Sequence, residues 1–306
     1  METAYSYEKM QDAAEALIRH YPFLRKIDIG TSVMGKEIFA LEIGRGEKRV
    51  CYNAAFHANE WITSLILLHF LEEYAKAVMN RETLYGTDAM TLYEQITLFI
   101  VPLVNPDGVD LVTGALTQGS FYEQAKRIGE AYPDIPFPDG WKANINGVDL
   151  NLQFPADWEL AREIKYEQGY RTPAPRDYVG DGPLSEPESR AMYEFTMQKD
   201  FSLILAYHTQ GEVIYWKYKD LEPECSREIA EYFGEVSGYA VEETPYASGN
   251  AGYKDWFILE FDRPGYTIEA GYGENPLPIS DFTEIYKRNT GILVGGMTEI
   301  LSKCEE

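Results

Sequence analysis

His57 and Glu60 stand three residues apart in the motif HANE at 57–60, a spacing that can bind a metal ion. The run 49–56 before the motif has the composition of a short buried strand, and the run 61–76 after it has apolar residues at helical spacing. The pair is therefore expected on the turn between them. A hydrolytic zinc site needs about three protein ligands and one open position for water. The alternative interpretation is a surface turn with a polar pair.

Two further polar residues follow apolar runs that are predicted to be buried strands. His208 comes directly after the run 201–207, and Glu269 comes directly after the run 265–268. In open α/β sheets the strand ends are where ligand sites assemble. We therefore expect His57, His208 and Glu269 to meet at one edge of a sheet.

The elements that would position these residues follow from apolar periodicity. Predicted helices span residues 6–20, 61–76, 186–199, 223–237 and 282–303, and predicted strands span 26–31, 37–44, 48–56, 96–104, 201–207 and 265–268. The first three strands are expected to form a meander. The motif NPDG at 105–108 predicts a turn, and the stretch 155–187 predicts a long loop with one helical segment that could form a pocket rim. Long apolar strands that alternate with helices indicate an α/β fold with a sheet buried on both faces.

Length and charge limit the classes of function. The chain has 306 residues, is 45% hydrophobic and carries a formal net charge of −23. No linker or repeat divides it, so we expect one domain over residues 1–306. The negative charge argues against nucleic acid or an anionic membrane as a partner. An anionic ligand would need local Lys or Arg in its pocket.

The cysteines and the N-terminus bear on location. Cys51, Cys225 and Cys304 are scattered, so we expect neither a disulfide framework nor a thiolate metal site, and a reducing compartment fits best. Residues 1–6 have no basic segment followed by an apolar run, and no stretch approaches the length of a membrane helix. We expect a cytoplasmic protein. The oligomeric state does not follow from the sequence.

Five motifs in order resemble the zinc carboxypeptidase family over nearly the whole chain: HANE at 57–60, NPDG at 105–108, GVDLN at 147–151, His208 and Glu269. This resemblance implies a single mixed, mostly parallel sheet flanked by helices. Within the family, the segment NINGVDLNLQFP at 144–155 is most similar to the γ-D-glutamyl-diamino acid endopeptidases of spore-forming bacteria. Those enzymes cut the bond between γ-D-glutamate and meso-diaminopimelate in peptidoglycan peptides.

The resemblance implies a metal site and a base. His57, Glu60 and His208 would hold one Zn²⁺, Asp149 would orient the first imidazole, and Glu269 would be the general base. The alternatives are an ordinary turn aspartate for Asp149 and a helix-proximal or solvated glutamate for Glu269.

The other two of the four histidines, His20 and His69, fall in predicted helices without a matched carboxylate motif, and we interpret them as structural.

The resemblance also assigns residues around the substrate. Lys142 occupies the place where the family usually has an arginine that stabilises the oxyanion, and the alternative is a plain surface lysine. Asn151 matches an asparagine of the substrate-carboxylate segment. The family's exopeptidases follow that asparagine with an arginine that clamps the terminal carboxylate, and here that position is Leu152. A substrate whose chain continues, or whose carboxylate lies elsewhere, is therefore favoured.

The segment 246–256 matches the specificity region of the family. It puts Lys254 at the base of the leaving-residue pocket, where a lysine would suit an acidic end such as the second carboxylate of diaminopimelate. The alternative is a solvated lysine beside Asp255. Tyr246 would be the family's mobile tyrosine over the substrate, although its spacing is one residue off.

Three functions follow. The first is a zinc peptidase that cleaves the γ-D-glutamyl to meso-diaminopimelate bond of peptidoglycan stem peptides. The second is a zinc carboxypeptidase or amidohydrolase that acts on another acidic peptide or acylated amino acid. The third is a non-catalytic peptide-binding relative, which is disfavoured because Glu269 and all three expected metal ligands are present.

Overall fold

The main sheet has eight strands and lies at the centre of the computed structural model, which describes residues 4–304. The strands of the chain are β1 Arg25–Thr31, β2 Glu37–Gly44, β3 Lys48–Ala54, β4 Thr83–Leu84, β5 Thr87–Asp88, β6 Ile96–Val101, β7 Leu203–His208, β8 Val213–Tyr215, β9 Ala240–Glu242 and β10 Gly265–Glu269. In the main sheet the strand order is β1-β2-β6-β3-β7-β10-β8-β9, whereas β4 and β5 form a separate hairpin.

The helices pack on both faces of this sheet. They are α1 Tyr7–His20, α2 Ile62–Asn80, α3 Ala89–Gln95, α4 Pro106–Val112, α5 Ser120–Glu130, α6 Trp158–Glu167, α7 Pro187–Lys199, α8 Ser226–Ser237, α9 Tyr253–Phe261 and α10 Phe282–Ser302. Residues of α1, α2, α8 and α10 form the core on one face, and residues of α7 and α9 form the core on the other. Among the described residues, no helix has both the length and the apolar character to cross a membrane.

The strands at the middle of the sheet run parallel. β6, β3, β7 and β10 pair in parallel. β2 is antiparallel to β6 and β8 is antiparallel to β10, whereas the edge strand β9 is parallel to β8. The fold class predicted from the sequence, an α/β fold with a mixed and mostly parallel sheet flanked by helices, is confirmed. The predicted meander is wrong, because β6 lies between β2 and β3.

The alternation of side chains along β7 and β10 decides which residues face the site. In β7, Leu203, Leu205 and Tyr207 enter the core on the α2 face, so His208 points to the α9 face. In β10, Tyr266 and Ile268 likewise enter the α2-face core, which turns Glu269 to the same side as His208. The two strands pair with Glu269 beside His208.

The segment NPDG begins a helix rather than forming an isolated turn. Asn105 caps α4 by accepting a hydrogen bond from the Gly108 amide at 3.0 Å, and Pro106 occupies the first turn, where its missing N–H costs nothing. The Asn105 amide also donates to the carbonyl groups of Phe56 and Ala143. It thereby ties the end of the His57 strand to a distant loop.

Cys225 and Cys304 form a disulfide with a Cα–Cα distance of 5.8 Å. The scattered cysteines indicated no disulfide framework, and this single bond is a departure from that expectation. Cys51 is free and buried in the sheet. The bond joins Cys225, directly before α8, to Cys304, shortly after α10. The two helices pack side by side on the same face of the sheet.

Candidate active site

Three ionisable side chains converge beyond the ends of β3 and β7. His57 Nδ1 lies 3.0 Å from Glu60 Oε1 and 3.2 Å from His208 Nδ1, and His208 Nδ1 lies 2.9 Å from Glu60 Oε2. Their potential ligand atoms all lie within 4.8 Å of one another. The sequence expectation that the three side chains meet agrees with this geometry.

The turn that presents Glu60 is fixed by local hydrogen bonds. Residues Ala58–Glu60 form a single 3-10 turn before α2. The Thr63 hydroxyl donates to the Glu60 carbonyl at 2.7 Å and accepts from the Ala55 amide at 3.1 Å. Both ends of the strand-to-helix connection are therefore held by one buried side chain, and the Glu60 carboxylate is directed at the histidines.

The donor set fits a zinc ion. Two nitrogens bound to zinc at about 2.0–2.1 Å in a tetrahedron lie about 3.3 Å apart, close to the separation of the two Nδ1 atoms. His57 Nε2 lies 3.0 Å from Asp149 Oδ1. With Nε2–H donating to Asp149, the lone pair of His57 Nδ1 remains free to bind a metal. Two imidazoles and one carboxylate are the ligands of many hydrolytic zinc sites, and they leave one position for water.

The carboxylates around His57 favour a positive charge. Burial alone would lower the pKa of His57, but Glu60 and Asp149 raise it to about 9. Burial would raise the pKa of Glu60, but Lys142 and His57 hold it well below its usual range. The pKa of Asp149 is likewise lowered against the effect of burial, chiefly by His57. The same field that favours an imidazolium also favours a metal cation.

Glu269 lies next to this cluster, and within the described residues its carboxylate has no hydrogen-bond donor. It lines the same cavity as His57 and His208. Burial raises the pKa of Glu269, and His208 partly opposes this effect. A half-buried carboxylate with a raised pKa is a stronger base than an ordinary glutamate, which suits it to accept a proton.

Lys142 reaches the cluster from a loop. Its Nζ lies 3.0 Å from Glu60 Oε1, and its backbone carbonyl accepts from the Ala58 amide at 2.9 Å. Burial would lower the pKa of Lys142, but Glu60 and Glu269 raise it, so the residue is held as a cation. The alternative of a plain surface lysine does not agree with this buried position.

A cavity of about 170 Å³ opens beside the cluster. Asn151 lines it and accepts from the Tyr253 amide at 3.0 Å through Oδ1, which leaves its amide nitrogen available to a ligand. Leu152 is 7% exposed and packs in an apolar cluster that includes Trp158 and Val179. The cavity therefore has no charged clamp at position 152.

Lys254 also lines this cavity and is 3% exposed, so the alternative of a solvated lysine is wrong. Its ammonium lies 2.6 Å from Asp255 Oδ1, 2.7 Å from the Lys217 carbonyl and 3.1 Å from the Thr244 hydroxyl. Lys217 and Thr244 accept hydrogen bonds from the ammonium, and Asp255 balances its charge. Its role toward an acidic substrate stays a prediction.

Tyr246 does not line the cavity, although Thr244 and Ser248 on either side of it do. It is 72% exposed and lines a separate surface depression together with Lys219 and Asn250. Its predicted role over the substrate also stays a prediction.

Two residues that the sequence did not single out border the site. Arg176 and Tyr215 line both the cavity and a neighbouring cleft of about 750 Å³. Glu269 and Lys142 line both spaces as well. The only signal for Arg176 in the sequence was its position in the predicted pocket-rim loop. Tyr215 is in β8, a strand too short to be detected by periodicity.

Comparisons with known proteins agree with this geometry. A family model described as zinc carboxypeptidase matches residues 10–290. Gamma-D-glutamyl-L-diamino acid endopeptidase 1 of Lysinibacillus sphaericus is 47% identical over 293 residues, which are 96% of this chain and 72% of that protein. The Bacillus subtilis protein YqgT is 42% identical over 95% of this chain and 77% of its own length.

Among solved structures, thrombin-activatable fibrinolysis inhibitor superposes with a TM-score of 0.72 at 18% identity, covering 98% of this chain and 75% of the other. At that level of identity, the likeness shows a shared fold.

Proposed function

This chain belongs to the zinc carboxypeptidase family and is a zinc metallopeptidase, and from that premise we propose that it hydrolyses the bond between γ-D-glutamate and meso-diaminopimelate in peptidoglycan stem peptides. The observation that carries the proposal is the 47% identity, over 96% of the chain, to a relative named for γ-D-glutamyl-L-diamino acid cleavage. We also propose that the catalytic domain spans residues 1–306.

The residues of the site support a hydrolytic mechanism. His57, Glu60 and His208 would hold the zinc ion, which would supply Lewis-acid chemistry for the scissile carbonyl and for a water molecule. Glu269 accepts a proton from the attacking water and returns a proton to the amine as the C–N bond breaks. Lys142 balances the negative charge that develops on the carbonyl oxygen. Asp149 keeps the His57 ring in the tautomer that presents Nδ1.

Leu152 supports a substrate other than a simple C-terminal peptide. A neutral, packed side chain at this position cannot form a bidentate ion pair with a terminal α-carboxylate. Asn151 remains as a neutral donor in the cavity, together with Lys254 at its wall.

A cytoplasmic location stays a prediction of the sequence. The Cys225–Cys304 disulfide argues against a permanently reducing environment, because such bonds are rare where thiols are kept reduced.

Mass spectrometry of a digest tests the proposed substrate. The purified protein is incubated with L-alanyl-γ-D-glutamyl-meso-diaminopimelate, and with the same tripeptide linked through the α-carboxyl of glutamate. We expect diaminopimelate to be released from the γ-linked peptide only, to stop when a chelator removes zinc, and to resume when zinc is restored. His57→Ala should abolish release, whereas His20→Ala, in α1, should not.

Other outcomes identify the alternatives. Zinc-dependent cleavage of other acidic peptides or acylated amino acids, with the γ-linked tripeptide intact, would establish the second function and refute the proposal. Comparing the tripeptide with tetrapeptide and pentapeptide stems separates exopeptidase from endopeptidase action.

A further inference from the structure

Cations are concentrated in the catalytic cavity of a chain that is strongly acidic overall. The chain has a net charge of −23, yet in this one cavity of about 170 Å³ the four acidic residues Asp149, Asp177, Asp255 and Glu269 are balanced by four basic residues. They are Lys142, Lys165, Arg176 and Lys254. Their value for an anionic ligand depends on which of them still has free N–H groups.

The three lysines already have acidic partners. Lys142 Nζ lies 3.0 Å from Glu60, and Lys165 Nζ lies 2.6 Å from Asp177 Oδ1. Lys254 is paired with Asp255 and has two further acceptors. None of these ammonium groups is presented to a ligand without a competing carboxylate.

Arg176 differs from the lysines in the geometry of its pairing. Its Nε donates to Asp177 Oδ2 at 2.7 Å. Within residues 4–304, neither of its terminal Nη atoms has a hydrogen-bond partner, and its side chain is 43% exposed. One edge of the guanidinium is therefore fixed by the protein. The two Nη groups at its end remain free for a second, bidentate partner.

The backbone that carries Arg176 is attached to the catalytic loop on both sides. The carbonyl of Pro175 accepts from the Lys142 amide at 2.8 Å and from the Ala143 amide at 2.9 Å. The Asp177 amide donates to Asp149 Oδ2 at 3.2 Å, the same carboxylate that holds His57. Arg176 is thus positioned by the residues that support the metal site, although it lies in an irregular loop.

Arg176 also stands at the passage between two spaces. It lines the cavity that contains Asn151 and Leu152, and it lines the adjoining cleft that contains Asn59 and Gln210. A substrate that crosses the site with its scissile amide near Glu269 extends into both spaces. A carboxylate within a few bonds of that amide would come within reach of the guanidinium.

We infer that Arg176 binds a substrate carboxylate next to the scissile bond, a task that Leu152 cannot perform. The inference rests on the proposed function for its choice of substrate. In a γ-D-glutamyl-diaminopimelate peptide, two carboxylates meet the description: the α-carboxylate of the D-glutamyl residue, and the carboxylate of the leaving residue on the centre whose amine is released. Both present the same bidentate anion to Arg176.

Steady-state kinetics on three substrates test this role. They are the tripeptide L-alanyl-γ-D-glutamyl-meso-diaminopimelate, its analogue with the D-glutamyl α-carboxylate converted to an amide, and its analogue with the leaving-residue carboxylate converted to an amide. For Arg176→Gln we expect kcat/KM on the tripeptide to fall about 100-fold, because a charged bidentate contact is lost. On the analogue in which the carboxylate bound by Arg176 has been converted to an amide, the variant and the wild type should have the same kcat/KM.

Controls separate binding from folding. Arg176→Lys should recover part of the loss, since it restores the charge without the fork. Arg171→Gln changes an exposed arginine whose Nε bonds only to the Tyr166 carbonyl, and it should behave as the wild type. Zinc content and thermal unfolding temperature should be the same in all variants. An equal loss on all three substrates, or no loss on any, would overturn the inference.

A binding measurement keeps the inference separate from the proposed function. Calorimetry with meso-diaminopimelate, with L-alanyl-D-glutamate and with the matching amides compares wild type with Arg176→Gln without turnover. We expect the variant to lose the preference for one acid over its amide. If the wild type does not cleave the tripeptide, the proposed function fails, and this acid-to-amide preference still decides the role of Arg176. Identical preferences in both proteins would refute it.

Discussion

His57 Nε2 lies 3.0 Å from Asp149 Oδ1, so the first imidazole of the metal cluster is oriented by a carboxylate from a loop about ninety residues away. That carboxylate also accepts from the amides of Asn151 and Asp177. Its position is therefore fixed by backbone groups as well as by the ring. The relationship couples the candidate metal site to a loop whose residues Asn151 and Leu152 line the cavity.

Asp149→Asn should weaken zinc binding. A neutral amide orients the His57 ring less strongly than a carboxylate does and makes its metal-binding nitrogen less basic. Loss of such a partner typically lowers metal affinity about 10-fold to 100-fold. Competition with a chromophoric chelator measures the zinc dissociation constant. Asp220→Asn, at an exposed position, is the matched control and should leave the constant unchanged. Equal constants for both variants would contradict the role of Asp149.

Glu269→Gln should abolish most hydrolysis while the metal stays bound. The amide cannot accept a proton from water, and loss of a general base typically costs about 10²-fold to 10⁴-fold in rate. Measurements of kcat and of zinc content by atomic absorption check this together. Full activity in the variant would exclude Glu269 as the base, and loss of zinc would show that its effect is indirect.

Lys142→Met should lower kcat more than it changes KM. The ammonium would stabilise the negative charge that develops on the carbonyl oxygen only in the transition state. Loss of one such donor lowers kcat about 10²-fold to 10³-fold. Lys142→Arg keeps the charge and should retain more activity. The kinetics of both variants are compared at equal zinc occupancy. If both have the same kcat as the wild type, Lys142 does not stabilise the oxyanion.

Glu188 should make stability fall as the pH rises. Burial raises the pKa of this carboxyl from 4.5 to about 7. Between these values the folded chain holds the proton and the unfolded chain does not, so stability is greatest below the lower value and is lost up to the higher one. The total is about 3 kcal/mol at 1.36 kcal/mol per pKa unit.

Urea unfolding of Glu188→Gln at several pH values, with excess zinc, measures this contribution. Relative to wild type, the variant should become more stable as the pH is raised from 5 to 8. Glu194→Gln, at an exposed position on the same helix, should keep a constant difference from wild type. Parallel pH profiles for wild type and Glu188→Gln would contradict the raised pKa.

The Cys225–Cys304 bond should be visible in thiol counts. A chromogenic thiol reagent should detect one thiol in the unfolded, unreduced protein, from Cys51, and three after reduction. Cys304→Ser should lower the free energy of unfolding, because the bond closes a loop of 79 residues. For a loop of that length the chain-entropy model gives about 4.5 kcal/mol. Three thiols before reduction would show that the bond is absent.

The sequence was sufficient for the residues that sit at the ends of strong periodic elements. His208 and Glu269 follow buried runs that became β7 and β10, and parallel strands place such ends at one edge of the sheet. His57 and Glu60 were recognisable because a strand and a helix with clear patterns flank them. At these residues the local apolar pattern is enough to predict the position in the fold.

The remaining features depend on long-range pairing or on irregular backbone. Composition did not indicate that β6 pairs between β2 and β3, because each of these apolar strands could be buried equally well at that position in the sheet. NPDG contains residues that favour both a turn and a helix start, and the contacts of Asn105 with Phe56 and Ala143 select the helix. Arg176 lies in a loop without periodicity, and its position depends on the long-range bonds of Pro175 and Asp177 and on its own bond to Asp177.

The order of the strands has a consequence for biosynthesis. The proposed zinc ligands lie on the turn after β3 and at the end of β7, whereas Glu269 is the last residue of β10, which pairs beside β7 and is encoded near the end of the described chain. A nascent polypeptide on the ribosome therefore contains every ligand for the ion before it contains the proton acceptor. Until β10 is translated, the growing chain lacks the residue that we propose as its general base.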